Sequence, residues 1–205
     1  MIILNNIQIG PEIYKMDIKY ENNIAGKPGQ FVHVKVGREG YDPLLRRPFS
    51  IYNLNKDKKI LSIIYRVCGK GTKLLSKYKM GDNLDTLDAL GNGFDINKSN
   101  SNILIIGGGM GIAPLYYLAK KLKEKNNDIK VILGAKNKYE LNYFSTAFFE
   151  LGVDLYLTTM DGSLGMKSNV VDSWKKLEQE DIISEKPDFM YSCGPRAMLK
   201  EIKNL

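Results

Sequence analysis

Cysteine and histidine are scarce in this chain of 205 residues. The two cysteines, Cys68 and Cys193, lie far apart and form no Cys-x-x-Cys pair, which argues against a disulfide framework and against a cysteine-based zinc site. The single histidine, His33, falls among apolar neighbours in a predicted strand, so we expect a packed side chain rather than a catalyst. The sequence therefore predicts no metal site.

Long apolar runs are also missing from the sequence. No stretch approaches the roughly 20 apolar residues that a membrane-spanning helix needs. The first residues lack the charged-then-apolar pattern of a secretory signal peptide. We therefore expect no membrane association and a cytoplasmic location.

The charge balance is basic, with a net charge of +7, while 26% of the residues are charged and 43% are hydrophobic. The lysines are scattered over predicted loops and helix faces, which favours a solvated surface over a nucleic-acid groove. We expect no nucleic-acid partner. The positive balance would still attract anionic cofactors or an acidic partner.

Short segments of alternating apolar residues fill the first half of the chain. The predicted strands cover residues 13–20, 30–36, 49–54 and 60–67, with a turn over residues 37–43 and a helix near residues 72–79. Such even spacing of short strands predicts an antiparallel β-barrel or a sandwich.

An unbroken apolar run, Ile103-Leu104-Ile105-Ile106, opens the second half and predicts a parallel strand buried on both faces. Further predicted strands cover residues 130–134, 153–159 and 188–191, with helices near residues 115–122, 139–150 and 170–177 and from Pro195 onward. This alternation predicts an α/β doubly wound parallel sheet. A boundary near residues 95–102 divides the chain into domains over residues 1–96 and 103–205.

A glycine-rich turn, Gly107-Gly108-Gly109-Met110-Gly111-Ile112-Ala113-Pro114, connects the buried strand to a helix. Glycines let the backbone approach a diphosphate, and a helix start offers unpaired N–H groups. The fingerprint Gly-x-Gly-x-x-Gly is not met, because Ile112 stands at its third position. The acid expected after the second strand is also missing from Gly134-Ala135-Lys136-Asn137. The turn predicts nucleotide binding, with an ordinary strand-to-helix turn as the alternative.

A second candidate site lies in the first half, at Arg47-Pro48-Phe49-Ser50. Arginine offers a planar fork for a phosphate, and the Ser50 hydroxyl can hydrogen-bond a ring nitrogen. The backbone N–H groups of Gly69-Lys70-Gly71-Thr72 are suited to a second phosphate. The alternative is that Arg46 and Arg47 are a surface pair. Tyr65, at the end of a strand, is either a packed side chain or a ring that stacks on a ligand.

A third segment, Cys193-Gly194-Pro195, follows a predicted strand and precedes a helix. Open α/β sheets bind ligands at this edge, and a helix start lowers a thiol pKa, so we expect a reactive Cys193. The alternative is a buried cysteine that acts as a small hydrophobic residue. Asp161-Gly162-Ser163-Leu164-Gly165 also follows a strand and would lie along the same edge.

Together, these segments are suited to a flavin meeting a nicotinamide, and they resemble the ferredoxin–NADP reductase superfamily over essentially the whole chain. The flavin signature of that superfamily, Arg-x-Tyr/Phe-Ser/Thr, is matched from Arg47 to Ser50, and its nucleotide signatures match residues 107–114 and 193–195. Residues 41–51, 133–138 and 161–165 look most like the electron-transfer subunit of NAD-dependent dihydroorotate dehydrogenase. Related sulfide dehydrogenase and ferredoxin:NADP oxidoreductase subunits share these motifs.

The resemblance implies a flavin-binding barrel followed by a nicotinamide-binding domain. Several residues would hold FAD, with Ser50 near its redox-active edge: Arg47, Pro48, Phe49, Ser50, Ile64, Tyr65, Arg66, Gly71 and Thr72. Others would bind NADH, with Cys193 at the nicotinamide: Gly107, Gly108, Gly109, Met110, Gly111, Cys193, Gly194 and Pro195. Ser50 and Cys193 are thus the candidate catalytic residues. Electrons would pass from NADH through FAD to a catalytic partner subunit in pyrimidine biosynthesis.

The resemblance also implies a [2Fe–2S] cluster, held by a cysteine-rich segment after the last helix. Such a cluster takes four ligands, and Cys68 and Cys193 cannot supply them, so we expect either a truncated version or a cluster-free relative. A non-catalytic flavin-binding regulatory subunit is one alternative function, and a nucleotide-binding protein without flavin is another. The choice between NAD and NADP stays open, since Lys136 would tolerate a 2′-phosphate.

Overall fold

The computed structural model describes residues 1–21, 24–37, 42–183 and 186–204. The chain forms two compact units, Met1–Phe94 and Asp95–Leu205. Part of the predicted turn over residues 37–43 lies outside the described residues, as does Tyr41.

An antiparallel five-stranded sheet forms the first unit, in the order β1-β2-β5-β4-β3. The strands are β1 (Ile2–Gly10), β2 (Ile13–Lys19), β3 (Phe31–Val34), β4 (Arg47–Asn55) and β5 (Ile60–Arg66). Helix α1 (Lys70–Leu75) follows β5 and is shorter than the predicted helix over residues 72–79. The strands bury alternate apolar side chains, among them Met16, Ile51 and Ile63, which have no exposed surface.

The segment after α1 closes this sheet into a barrel. On one side, the Gly81 N–H donates to the Ile3 carbonyl at 2.9 Å, so the segment pairs with β1. On the other side, the Leu87 N–H donates to the His33 carbonyl at 2.9 Å, so it pairs with β3. Both edge strands are therefore covered, and the predicted antiparallel barrel is confirmed.

Strand β1 is absent from the sequence-based prediction. Asn5 and Asn6 interrupt its apolar pattern, and the pairing with β2 shifts register between Ile3 and Asn5. The side chain of Asn6 bonds the carbonyls of Leu75 and Tyr78, both at 3.0 Å. A residue with low strand propensity is thus kept in a strand because its amide ties β1 to the end of α1.

A parallel five-stranded sheet forms the second unit, in the order β10-β6-β7-β8-β9. Its strands are β6 (Asn102–Gly108), β7 (Asp128–Ala135), β8 (Asp154–Thr159), β9 (Met166–Lys167) and β10 (Phe189–Cys193). Its helices are α2 (Ile112–Lys123), α3 (Lys138–Glu150), α4 (Val170–Gln179) and α5 (Arg196–Lys203). The predicted doubly wound α/β sheet is confirmed.

The two faces of this sheet carry different helices. Leu104 and Ile106 pack with Trp174 of α4 and Ile202 of α5. Because side chains alternate along a strand, Ile103 and the other odd-numbered residues of β6 point to the opposite face, where α2 contacts the sheet. Strand β6 is buried on both faces, as its unbroken apolar run predicts.

The predicted boundary segment runs along the outer strand β10. The Tyr191 hydroxyl donates to the Asp95 carbonyl at 2.6 Å, and the Lys98 ammonium lies 4.2 Å from the centre of the Phe189 ring. Residues 95–98 therefore pack within the second unit. No helix in the described part of the chain combines the length and apolar character needed to span a membrane.

Candidate functional site

The side chain of Arg47 lies against the start of α1 in the first unit. Arg47 is the first residue of β4 and pairs with Val34 on β3. Its Nη1 donates to the Leu45 carbonyl at 2.8 Å, which fixes the guanidinium. A side chain at Gly71 would place its Cβ 3.3 Å from the Arg47 Nε. The fold thus brings together two predicted phosphate-binding residues that are 24 positions apart in sequence.

The hydroxyl of Thr72 shapes the loop before α1. It accepts hydrogen bonds from the Cys68 and Gly69 N–H groups, at 2.9 and 3.2 Å, and donates to the Gly69 carbonyl at 3.1 Å. The Thr72 hydroxyl is therefore already occupied by hydrogen bonds within the loop. A contribution of Thr72 to phosphate binding would therefore come from its backbone.

The ring of Tyr65 belongs to the barrel core. It is 2% exposed, stacks on Tyr14 at 5.7 Å and lies 5.6 Å from the Phe49 ring. Its hydroxyl donates to Asn6 Oδ1 at 2.9 Å, and burial raises its pKa well above the ordinary value. Of the two alternatives given for Tyr65 from the sequence, the structure shows the packed side chain. Ile64 is also buried, so a cofactor would meet the backbone at these positions.

Ser50 differs from these buried neighbours. It pairs with Phe31 on β3 and is half-buried. Within residues 1–21, 24–37, 42–183 and 186–204, no hydrogen-bond partner occupies its hydroxyl, so the group is available to a ligand. Arg66 is half-buried at the end of β5, and Pro48 is exposed in β4.

The first unit also has a cleft of about 570 Å³ beside α1. Its lining includes Val36, Lys70 and Tyr78, together with the carboxylates of Asp42 and Asp82. Val36 is also the residue that a side chain at Gly71 would meet first, at 3.0 Å. The cleft therefore adjoins the position where Arg47 and Gly71 meet. A cation, a bare backbone and an adjoining cleft fit a long ligand with a diphosphate group.

The glycine turn and the Cys193 segment are in direct contact in the second unit. Cys193 pairs with Gly107 where β10 runs parallel to β6. A side chain at Gly111 would place its Cβ 2.6 Å from the carbonyl carbon of Cys193 and from the Gly194 Cα. This contact is backbone against backbone, and glycine is the residue that leaves room for it.

These two segments lie at the switch point of the sheet. From β6 the chain continues through β7, β8 and β9 on one side and then returns to place β10 on the other side. Ligands of open α/β sheets bind at the carboxyl ends of the strands at such a point. A 3₁₀ turn over Gly109–Gly111 leads directly into α2, and the Ile112 N–H donates back to the Gly109 carbonyl. No side chain caps the start of this turn, so the backbone N–H groups of the glycine turn itself are the ones suited to an anion there.

Met198 is a residue of this site that the sequence analysis missed. Its Sδ lies 2.6 Å from the position of a Cβ at Gly108, and its Cε lies 2.4 Å from that of a Cβ at Gly194. It therefore packs beneath both glycine segments. Its position three residues after Pro195, on the inner face of α5, is the sequence signal that could have indicated it.

The prediction of a lowered pKa for Cys193 is wrong. The thiol is half-buried, and burial raises its pKa above the ordinary value. Helix α5 begins only at Arg196, with Pro195 before it, so the loss of hydration outweighs any effect of the helix start. Cys68, in contrast, is exposed. In the described ranges, no three histidine, cysteine or acidic side chains come together as a metal site.

Known proteins match this chain over its whole length. No protein-family model matches the chain. The "Dihydroorotate dehydrogenase B (NAD(+)), electron transfer subunit" of Bacillus pumilus is 39% identical over 207 residues, covering 100% of this chain and 77% of the relative. The protein of the same name from Enterococcus faecalis (strain V583) is 41% identical over 209 residues, covering 100% and 76%.

Solved structures agree with the sequence comparison. The structure of an NADH-dependent reduced ferredoxin-NADP oxidoreductase is similar with a TM-score of 0.83 and 33% identity, over 99% of this chain and 70% of that chain. A ferredoxin NADP+ reductase from Neisseria gonorrhoeae has the same fold, with a TM-score of 0.80 and 19% identity, over 99% and 87%. The resemblance derived from the motifs is confirmed. This chain therefore belongs to the family of dihydroorotate dehydrogenase B electron transfer subunits.

Proposed function

We propose that this chain is an oxidoreductase subunit that binds FAD, accepts hydride from NAD(P)H and passes electrons to a catalytic partner of the dihydroorotate dehydrogenase type, in pyrimidine biosynthesis. FAD, when bound, supplies the hydride-accepting and electron-transferring chemistry. The names of these relatives support this assignment. The observation that carries it is that the predicted cofactor segments meet within each unit: Arg47 lies against Gly71, and Gly111 against Cys193.

The first unit is the proposed FAD site. Arg47 would neutralise the diphosphate, and the bare backbone at Gly71 would let the diphosphate approach. The Ser50 hydroxyl would hydrogen-bond the redox-active edge of the ring system. The proposed FAD-binding residues are Arg47, Pro48, Phe49, Ser50, Ile64, Tyr65, Arg66, Gly71 and Thr72, within a domain predicted over residues 1–96.

The second unit is the proposed NAD(H) site, within a domain predicted over residues 103–205. The glycine turn before α2, which no side chain caps, would bind the dinucleotide diphosphate through its backbone N–H groups. Its raised pKa keeps the Cys193 thiol protonated at neutral pH, so the thiol would contact and position the nicotinamide without acting as a nucleophile. The proposed residues are Gly107, Gly108, Gly109, Met110, Gly111, Cys193, Gly194 and Pro195.

Cys68 and Cys193 do not fit a [2Fe–2S] cluster by themselves, because such a cluster takes four ligands. The proposed electron route therefore assigns no cluster to these 205 residues. The cytoplasmic location stays a prediction.

The FAD site can be tested by comparing Arg47→Ala with Arg46→Ala. Arg46 provides a matched control, because both of its hydrogen-bonding nitrogens bond Asp85, with two contacts to the carboxylate at 2.8 Å. Both variants lose one positive charge from neighbouring positions. We expect Arg47→Ala to purify with at least about tenfold less FAD, since hydrogen bonds from arginine to a phosphate are charge-assisted. Arg46→Ala is expected to retain FAD.

The two variants are measured by the flavin absorbance per polypeptide, followed by anaerobic addition of NADH. Bleaching of the flavin absorbance in the unaltered protein supports the reductase assignment. Equal FAD loss in both variants would contradict the Arg47 site. FAD that stays oxidised under NADH would instead favour a non-catalytic flavin-binding subunit.

A further inference from the structure

Asn6 of β1 is hydrogen-bonded through both ends of its side-chain amide. Its Nδ2 donates to the carbonyls of Leu75 and Tyr78, both at 3.0 Å, where α1 ends. Its Oδ1 accepts from the Tyr65 hydroxyl at 2.9 Å, in the barrel core. The amide therefore links the core of the barrel to the end of α1, from a residue 69 positions before Leu75 in sequence.

The end of α1 is held both by packing and by this amide. A helix leaves its last carbonyl groups without partners inside the helix. The Leu75 carbonyl accepts from the Tyr78 N–H at 3.1 Å as well as from Asn6, and the Tyr78 carbonyl accepts from Asn6. The Leu75 side chain has no exposed surface, and that of Tyr78 is buried. Packing leaves the carbonyls to be satisfied, and Asn6 supplies the donors.

One helical turn separates Leu75 from Gly71. Residues four positions apart lie on the same side of a helix, about 6 Å apart along its axis. At Gly71 the helix meets β4, since a Cβ there would lie 3.3 Å from the Arg47 Nε. The Arg47 guanidinium is fixed by another segment, through the Leu45 carbonyl at 2.8 Å. Because α1 has only six residues, a shift at Leu75 is carried to Gly71 and changes its distance from Arg47.

Asn5, the preceding residue of β1, bonds in a different direction. Its Nδ2 donates to Asp17 Oδ2 at 2.9 Å, and the two residues pair across β1 and β2. This bond lies within the sheet. Of the two adjacent asparagines, Asn5 thus ties β1 to the neighbouring strand, and Asn6 ties it to α1.

We propose that Asn6 is a positioning residue for the diphosphate of the cofactor. By holding the end of α1, its amide sets the distance between the Gly71 backbone and the Arg47 guanidinium, the two groups proposed to bind the diphosphate. Asn6 acts through these two groups and not by contact with the cofactor. This inference rests on the proposed FAD site and extends it to a residue of β1 that lies outside every motif singled out in the sequence.

The test is a double-mutant cycle of Asn6→Asp and Arg47→Ala, measured as the Kd of the full chain for FAD by flavin fluorescence. Aspartate keeps the shape and the acceptor for Tyr65, but it turns the two donated bonds into repulsion between oxygens. We expect the Kd to rise about fivefold in Asn6→Asp, as the loss of about one net hydrogen bond implies. In an Arg47→Ala background we expect a rise of less than about twofold, because residues that act through one contact are not additive.

Asn5→Asp is the matched control for this cycle. It makes the same substitution one position earlier and places a carboxylate against that of Asp17. We expect it to lower the stability of the barrel in urea unfolding and to leave the Kd for FAD unchanged. Asn6→Ala takes the place of Asn6→Asp if the aspartate variant does not fold, and Tyr65→Phe then measures the part of its effect that comes from the bond to Tyr65.

An unchanged Kd in Asn6→Asp would overturn this role of Asn6. So would an equal rise in Asn5→Asp, or a rise in Asn6→Asp that is the same with and without Arg47, since general damage to the barrel would then be responsible. A protein that binds no FAD would contradict the proposed function and this role together. A protein that shows the expected coupling, but whose flavin stays oxidised under NADH, would contradict the proposed function and leave the role of Asn6 supported.

Discussion

Replacing Gly111 with alanine tests the contact between the two segments that we propose bind the nucleotide. Gly111 has φ −65° and ψ −12°, a conformation that alanine adopts without strain. The added Cβ would lie 2.6 Å from the Cys193 carbonyl carbon and oxygen, whereas ordinary contacts begin at 3.4 Å. Both sides of the contact are backbone, so no side-chain rotation relieves it. The start of α2 and the end of β10 must move apart.

The expected cost follows from this geometry. Overpacking of a tight contact destabilises a protein by about 1–3 kcal/mol. Replacing glycine with alanine also lowers the conformational entropy of the unfolded chain, which offsets about 0.4–1 kcal/mol of the lost stability. We therefore expect a net loss of about 1–2 kcal/mol, which lowers the Tm of a domain of this size by roughly 4–8 °C per kcal/mol. The KM for NADH should rise as well, because the displaced backbone no longer fits the dinucleotide.

Gly109→Ala is the control for this experiment. Gly109 has φ +55°, and a Cβ there has no atom within 4 Å. That substitution costs about 1–2 kcal/mol through backbone strain, without pushing on Cys193. The two variants are therefore compared by the rate at which iodoacetamide labels Cys193 in a Cys68→Ser background. We expect faster labelling only in Gly111→Ala. Equal rates in both variants would refute the close approach as the reason for glycine at position 111.

Two further predictions concern the barrel. Asp17 accepts hydrogen bonds from Ser62, Asn5 and Lys15; burial opposes its ionisation, but these bonds outweigh burial and lower its pKa. In urea unfolding at pH 7, we expect Asp17→Asn to be less stable than the unaltered protein by about 1–2 kcal/mol. This difference should be lost as the pH falls below about 4, because the carboxylate stabilises the folded state only while it is ionised. A difference in stability that persists at pH 2 would contradict this. Tyr65→Phe should lower stability by about 1 kcal/mol through the lost bond to Asn6 and leave the FAD content unchanged; loss of FAD would show that the hydroxyl serves the cofactor.

Strands and helices with a clear apolar period could be predicted from the sequence. Strand β5 alternates, β6 is an unbroken apolar run, and α2 repeats apolar residues with a helical period; each forms within a few residues of its predicted range. Strand β1 could not be predicted, because Asn5 and Asn6 break the pattern. The bonds that compensate are long-range: Asn6 bonds the Leu75 and Tyr78 carbonyls, and Asn5 bonds Asp17 on β2. Strand β9, with two residues, is too short to show a period.

The grouping of the candidate site could be predicted for a topological reason. Carboxyl ends of parallel strands meet at one edge, so the sequence predicts that the segments after β6 and β10 lie at the same edge. That the two segments are in direct contact is a finding of the structure. The local environments could not be predicted in the same way. The sequence does not show that burial outweighs a nearby helix start at Cys193, or that the Tyr65 ring is enclosed by Tyr14 and Phe49. Both depend on neighbours that are distant in sequence.

Packing at the end of β7 explains why no acid stands at Gly134. A side chain at Gly134 would place its Cβ 2.3 Å from Val170 Cγ1 and 3.0 Å from Thr158 Cγ2. Val170 begins α4 and is buried, so this helix leaves no room for a carboxylate on that strand position. The packing of α4 and β8 against this part of β7 therefore accounts for the glycine at position 134, where an acidic side chain has no room.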